Sequence, residues 1–318
     1  MTIYQKFQDH VGGISTIDAS FVRPQHIASH LLVENNHAVF IDVGVNSSVP
    51  QLLAALQAKN IPLENVDYVI VTHIHLDHAG SAGNLMQLLP NAQLVVHPRG
   101  ARHLIDPTVL VAGATAVYGE EVFKECYGEI VPVALDRVIE AGAHFVLNFQ
   151  GRVLLFLDTP GHARHHFCVF DERTQSFFTG DTFGFSYREF DSPQGCFLFA
   201  TTTPVQFDPE AWHHSIEHLL SYRPKTMYLA HYGVVSEVNK LADKLHESID
   251  KTVLLMKQVS SYEPEYWYQL LYEGIMNICL EELQQLNCSV PVETCRELLA
   301  GDVGLNAQGV AYWWEHVR

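Results

Sequence analysis

The sequence predicts a mixed α+β fold with a helical C-terminal extension, and three observations predict it. Through the first 235 residues, short apolar runs of strand character alternate with stretches of helical spacing. From about residue 234 only helical spacing remains. Several of the apolar runs end abruptly in histidine or aspartate, where a strand delivers a side chain to a loop. The expected division is a mixed α+β domain over 1–235 and a helical extension over 236–318.

Taken in order, residues 30–34 and 38–42 flank Asn35-Asn36-His37 and read as a hairpin. Residues 49–59 read as a helix, 66–72 as a buried strand, 81–89 as a helix and 93–97 as a short strand. The stretch 98–145 has little clear period. It holds a helix at 99–105 and an Ala/Gly-rich segment at 112–119, and reads as an insertion over one end of the domain. Strands return at 152–158, 166–171 and 176–179, followed by an irregular loop over 182–207. Asp208-Pro209-Glu210 opens a helix, because aspartate caps the free N–H groups and proline fits the first helical position. Residues 225–230 form a strand that ends at His231. Helices follow over 235–260, 264–286 and 291–300, with Leu241, Leu245, Ile249, Val253 and Leu254 at helical spacing. This tail is expected to pack on the first domain, where it caps the pocket or forms a homodimer.

Composition narrows the function. The 318 residues, 47% hydrophobic, suffice for a large core. A net charge of −17, from 19 basic and 36 acidic residues, repels nucleic acid and anionic membrane. No run approaches the roughly 18 apolar residues of a membrane span. The start, M-T-I-Y-Q-K-F-Q-D-H, lacks a basic region followed by an apolar stretch, so the expected compartment is the cytoplasm. The six cysteines are scattered without a C-x-x-C pair and read as reduced thiols. The 19 histidines point toward metal.

The chemistry concentrates in I-V-T-H-I-H-L-D-H-A-G, residues 70–80. In an extended segment, side chains two apart face the same way, so His73 and His75 can grip one metal. Asp77 and His78, in the turn beyond, can reach a neighbouring one. Imidazole and carboxylate suit zinc, iron or manganese. Four residues cannot complete two sites, and three strand ends offer the rest: Leu157-Asp158-Thr159-Pro160-Gly161-His162, Phe178-Thr179-Gly180-Asp181 and Tyr228-Leu229-Ala230-His231.

With these motifs the chain resembles the metallo-β-lactamase superfamily, in a branch that also carries V-H-P-R-G-A-R-H-L-I-D-P (96–107), Q-F-D-P (206–209) and N-A-Q-G (306–309). The resemblance implies a four-layer αβ/βα sandwich with two divalent metals, zinc first, at one edge. It implies His73, His75 and His162 on the first metal, Asp77, His78 and His231 on the second, and Asp181 bridging them. Asp77 and Asp181 are the residues it assigns to catalysis, with a metal-bridging hydroxide as nucleophile. It also implies that Asp42 supports the metal histidines through hydrogen bonds, and it aligns His166 with a histidine read here as structural. Arg99, in a locally basic stretch, and Tyr187, after Asp181, are expected near the substrate.

The resulting expectation is a dinuclear hydrolase of a small ester, thioester or lactone. Thr182 to Arg188 replaces the Gly-Cys-Gly-Arg segment of glyoxalase-II-like enzymes, and Gly184 stands where acyl-homoserine-lactone lactonases carry tyrosine. Two other readings stay open: an iron-dependent redox enzyme similar to persulfide dioxygenases, and a metal-bearing, non-catalytic regulator.

Overall fold

The computed structural model describes residues 7–316. The first six residues, which the reading of the N-terminus used, and the last two of the tail lie outside them. Two sheets face each other. The first runs in chain order: β1 (Phe7–Asp9), β2 (Ile14–Asp18), β3 (Ala28–Glu34), β4 (His37–Ile41), β5 (Val66–Ile70), β6 (Gln93–Val96) and β7 (Val138–Glu140). Strands β1 to β4 are antiparallel neighbours, and β4 to β7 are parallel. The second sheet holds β8 (Val146–Phe149), β9 (Arg152–Asp158), β10 (Phe167–Asp171), β11 (Ser176–Phe185), β12 (Thr226–His231) and β13 (Gly233–Val235), also in chain order. Here only the β11–β12 pair is parallel.

The period of two along each strand sets the layers. Leu32, Val39, Ile41 and Ile70 point inward from the first sheet and meet Phe156, Phe167, Phe178 and Tyr228 of the second. Their neighbours Leu31, Phe40 and Val69 point outward and are covered by α1 (Val49–Ala58) and α3 (Ala82–Leu88). On the far side, Phe177 and Leu229 lie under α7 (Pro209–Ser221), α8 (Val238–Val259), α9 (Trp267–Gln285) and α10 (Val292–His316). Full burial of each such ring contributes about 2–3 kcal/mol. The result is a four-layer αβ/βα sandwich whose helical extension shares one apolar core with the second sheet. No helix among the described residues is long and apolar enough to cross a membrane.

Three elements depart from the sequence expectations. The 98–145 stretch is largely helical, with α4 (Pro98–Ile105), α5 (Thr108–Tyr118) and α6 (Glu120–Cys126) between β6 and the edge strand β7. Strand β11 continues to Phe185 instead of ending at 179. The 182–207 segment is irregular beyond Phe185, as expected, but its aromatics are buried: Phe190, Phe197 and Phe199 are core residues, and Phe199 pairs with Phe185. Finally, α10 runs on past residue 300 to His316 through three glycines. At Gly309 a Cβ would overlap the Thr202 carbonyl oxygen, so glycine is what lets α10 close on the 200–204 segment. Asn306 completes that contact, accepting from Thr202 N (2.7 Å) and donating to Ala200 O (2.8 Å).

Candidate metal centre

Five places in the fold converge at one edge of the sandwich. Beyond β5, a Thr72–His75 segment that bends at Thr72 and His73 leads into the single helical turn α2 (Leu76–Ala79), pinned by buried Leu76 and Ala79. This turn carries Asp77 and His78. His162 follows β9, Asp181 lies within β11, and His231 ends β12. Asp181 is therefore not at a strand end, as the sequence suggested. It sits in an irregularity of β11, where the register against β12 shifts on both sides of Gly180. A bulge of this kind re-aims a side chain. A Cβ at Gly180 would overlap Thr72 Oγ1, so only glycine fits beside the histidine segment.

The seven sequence-predicted ligand residues come together as two groups. His73 Nε2 and His162 Nε2 lie 2.9 and 3.0 Å from His75 Nδ1. His78 Nε2 and His231 Nε2 lie 3.4 and 3.3 Å from Asp77 Oδ2. Asp181 faces both groups: its Oδ2 is 3.4 Å from His162 Nε2, and its Oδ1 is 3.3 Å from His78 Nε2 and 3.6 Å from His231 Nε2.

The hydrogen bonds behind these rings fix which nitrogens face inward. His162 Nδ1 donates to the Thr201 carbonyl at 2.7 Å. Thr72 gives its hydroxyl proton to Asp42, so its oxygen accepts from His73 Nδ1 at 3.2 Å. His78 Nδ1 donates to Asp42 Oδ2 at 3.3 Å. His73 and His162 therefore turn bare Nε2 lone pairs into the site, and His78 does so in its neutral form. A single proton on His75 Nδ1 serves only one of the two lone pairs aimed at it. His78 Nε2 and Asp181 Oδ1 are buried without any hydrogen-bond partner. Unpaired buried acceptors are costly, and a divalent cation in each group satisfies them together. The donor set of imidazole and carboxylate fits such ions.

Charge separates the two groups. Burial, reinforced by the neighbouring imidazoles, holds His73 and His75 well below the usual histidine range, so both are neutral and available. Burial acts the same way on His78 and His231, but the Asp77 and Asp181 carboxylates outweigh it and raise both. Behind the site, Asp42 adopts φ +52° and accepts from the Thr72 N–H at 2.8 Å. It thus holds His73 through Thr72 and His78 directly. His166 binds no part of the cluster through its inner face; its Nε2 accepts from the Asp181 N–H at 3.2 Å and supports that backbone.

A cavity of about 500 Å³ opens above the cluster, reaching His75, Asp77, Asp181 and His231. One substrate expectation is corrected here. Tyr187 does not reach this mouth: it is fully buried among Phe185 and Phe190, and its hydroxyl donates to Asp302 Oδ2 at 3.0 Å. Arg99 lines a neighbouring pocket with Arg102 and Arg164 and donates to the Arg164 carbonyl at 2.9 Å. The sequence reading also missed three residues. Asp302 of α10 and His26 form a further ligand-type group with His231, and burial pushes His26 down to about 3. His165, likewise pushed to about 3 by burial, stacks on His73 and leaves its Nδ1 unpaired at the cavity. His26 and Asp302 carry no spacing to any motif; His165 was visible only as one of several histidines in G-H-A-R-H-H.

Comparison with known proteins agrees with the geometry. The metallo-β-lactamase superfamily model matches residues 22–231. The metallo-β-lactamase fold-containing protein ST1585 of Sulfurisphaera tokodaii is 28% identical over 229 residues, which is 70% of this chain and 80% of that protein. The ST1585 crystal structure superposes with a TM-score of 0.67 at 24% identity, covering 95% of this chain and 99% of the other, so its fold includes the helical extension. An atrochrysone carboxyl ACP thioesterase of Aspergillus fumigatus is 24% identical over 66% of this chain and 50% of its own length. A hydroxyacylglutathione hydrolase of Francisella tularensis is 24% identical over 48% of this chain and 46% of its own. The matched segment contains every residue from His73 to His231 that builds the two groups, and the chain belongs to the metallo-β-lactamase superfamily.

Proposed function

We propose that the protein is a dinuclear metal-dependent hydrolase of small esters, thioesters or lactones. One observation carries the reading: Asp181 turns one carboxylate oxygen to the His73–His75–His162 group and the other to the Asp77–His78–His231 group. In this reading His73, His75 and His162 hold one divalent cation, Asp77, His78 and His231 hold the second, and Asp181 joins them. Such ions, when bound, make water nucleophilic near neutral pH and polarise the carbonyl oxygen.

The chain's own residues do the rest. Asp42 fixes the tautomers of His73 and His78, and the Thr201 carbonyl fixes that of His162. His166 steadies the Asp181 backbone. The cavity walls exclude water from one side of the cluster, which strengthens the electrostatic interactions inside. No serine or cysteine nucleophile is required; all six cysteines are free thiols, and none lines the cavity. The thioesterase and the hydroxyacylglutathione hydrolase among the relatives favour an acyl substrate.

The test is a screen of esters, thioesters and lactones with protein stripped of metal and then reloaded with zinc, manganese or iron(II). Turnover that vanishes on stripping and returns on loading is expected. Turnover indifferent to metal, or only oxygen consumption by the iron-loaded protein, contradicts the hydrolytic reading.

A further inference from the structure

The cavity above the metal cluster has a wall that hydrolysis alone does not call for. Helix α5, TVLVAGATAVY, contains no buried residue. Its exposed positions Val109, Ala112, Gly113, Ala116 and Val117 recur at helical spacing. A surface helix ordinarily carries polar side chains on that stripe. Here the stripe is apolar, and Val109, Gly113, Ala116 and Val117 line the cavity that ends on His75, Asp181 and His231. Leu110, Ala114 and Tyr118 of α5 also line the cavity and, with Val111, pack on a small cluster around Leu76, Phe123 and Tyr127. The helix is thus anchored with its apolar stripe toward the site.

The lining also includes Leu305 of α10 and Pro204-Val205, with the polar Thr203 and Gln206 on either side of that pair. Asn306, next to Leu305, has its amide already paired with the 200–202 segment and offers no free polar group there. A Cβ added at Gly113 would meet nothing within 4 Å, so the space in front of α5 is open. At about 500 Å³, the cavity lies within the usual range of small-molecule sites.

The geometry points to a site for an apolar acyl chain lying between α5 and α10, with the reacting carbonyl at Asp181. The preferred substrates are then esters or thioesters of medium- to long-chain carboxylic acids. This assignment of substrate rests on the hydrolytic reading above. In the reaction, the water oxygen bonds to the acyl carbon, the C–O or C–S bond breaks, and the leaving group departs as an alcohol or thiol carrying a proton from water. The other product is the carboxylic acid.

Two measurements on the full chain separate the site from the reaction. One is binding of a fluorescent dansyl-labelled fatty acid to metal-free and metal-loaded protein, with displacement by unlabelled carboxylic acids of increasing length. The other is kcat/KM for a series of acyl thioesters from acetyl to dodecanoyl. The expected result is probe binding, stronger displacement by longer acids, and a rise of about fourfold in kcat/KM per methylene over the early members of the series. Gly113→Phe, which replaces a poor helix former, is expected to weaken the probe and to cut the decanoyl-to-acetyl ratio of kcat/KM at least about tenfold. Leu135→Asn, at a 70% exposed apolar residue outside the cavity, is expected to leave probe binding as it is.

Turnover with a flat chain-length series and no probe binding overturns the acyl site and leaves the hydrolase standing. Probe binding that Gly113→Phe weakens, without turnover of any thioester, supports the acyl site and contradicts the hydrolytic reading. Absence of probe binding together with a dimer that Val117→Glu dissociates gives the trough to a second copy of the chain and overturns the assignment.

Discussion

The floor of the cavity is built from strand ends and a strand irregularity, its wall from helices, and the two differ in nearly every physical respect. On the floor, His73, His78, His162 and Asp181 are almost fully buried, and each is held from behind: His73 by the Thr72 hydroxyl, His78 by Asp42, His162 by the Thr201 carbonyl, and Asp181 through its backbone N–H on His166 Nε2. On the wall, Val109 and Val117 are 67% and 43% exposed, and α5 rests mainly on a small satellite cluster, with Leu110 alone reaching the core of the first sheet. Opening a sheet core costs close to the global stability, whereas a peripheral helix moves at far lower cost. In the proposed reading, chemistry is tied to the rigid part of the molecule, and the choice of substrate to the part that can change or move without disturbing it.

The largest effects are expected on the floor. His162→Ala removes a donor shared between the first group and Asp181, and is expected to lower kcat/KM about a thousandfold or more, with loss of metal from that group by elemental analysis. If turnover survives with metal content unchanged, the floor is not the seat of the chemistry. Asp42→Ala leaves the histidines in place but frees their tautomers; metal titration is expected to show about 10–100-fold weaker binding. Weakening of this kind without loss of fold is the signature of a supporting residue.

How far each region could be read from the sequence follows the same line. The ligands were legible because each is a polar residue set against an apolar strand, a contrast that survives without any knowledge of the fold. Strand β2 was not: in Ile14–Asp18, Ser15 and Thr16 look like solvent-facing positions, yet both are buried and satisfied by Asp9, His10 and His30. Helix α5 escaped because its exposed stripe is apolar, which erases the period that marks a surface helix. The final turns of α10 escaped because glycines at 301, 304 and 309 argue against a helix. At Gly309 the reason is close approach to Thr202, a fact of tertiary packing alone. His26 and Asp302 meet only because α10 returns to the sheet edge.

The junction between floor and wall supplies a smaller effect. Gly309→Ala forces α10 away from the 200–204 segment, whose Thr201 orients His162. A loss of about 2 kcal/mol is expected, read from a denaturant midpoint, together with a modest fall in activity. A separate effect, confined to acid, is the response of the sheet interface. Burial pushes His30 down to about 3, whereas the unfolded chain keeps an ordinary histidine near 6.5. The unfolded state therefore binds more protons below about pH 6.5, and stability falls as pH drops from there toward 3. His30→Asn is expected to remove about 1.4 kcal/mol per pH unit from that slope, measured by denaturation of metal-free protein across the window. An unchanged slope would assign the acid sensitivity to other groups.

The central claim is that Asp181 joins two cation sites, and metal stoichiometry tests it most directly. Elemental analysis of the native protein and of Asp181→Ala, each reloaded and freed of excess metal, should give about two ions per chain for the first and one or fewer for the second. One ion per native chain, or two in both proteins, would contradict the account.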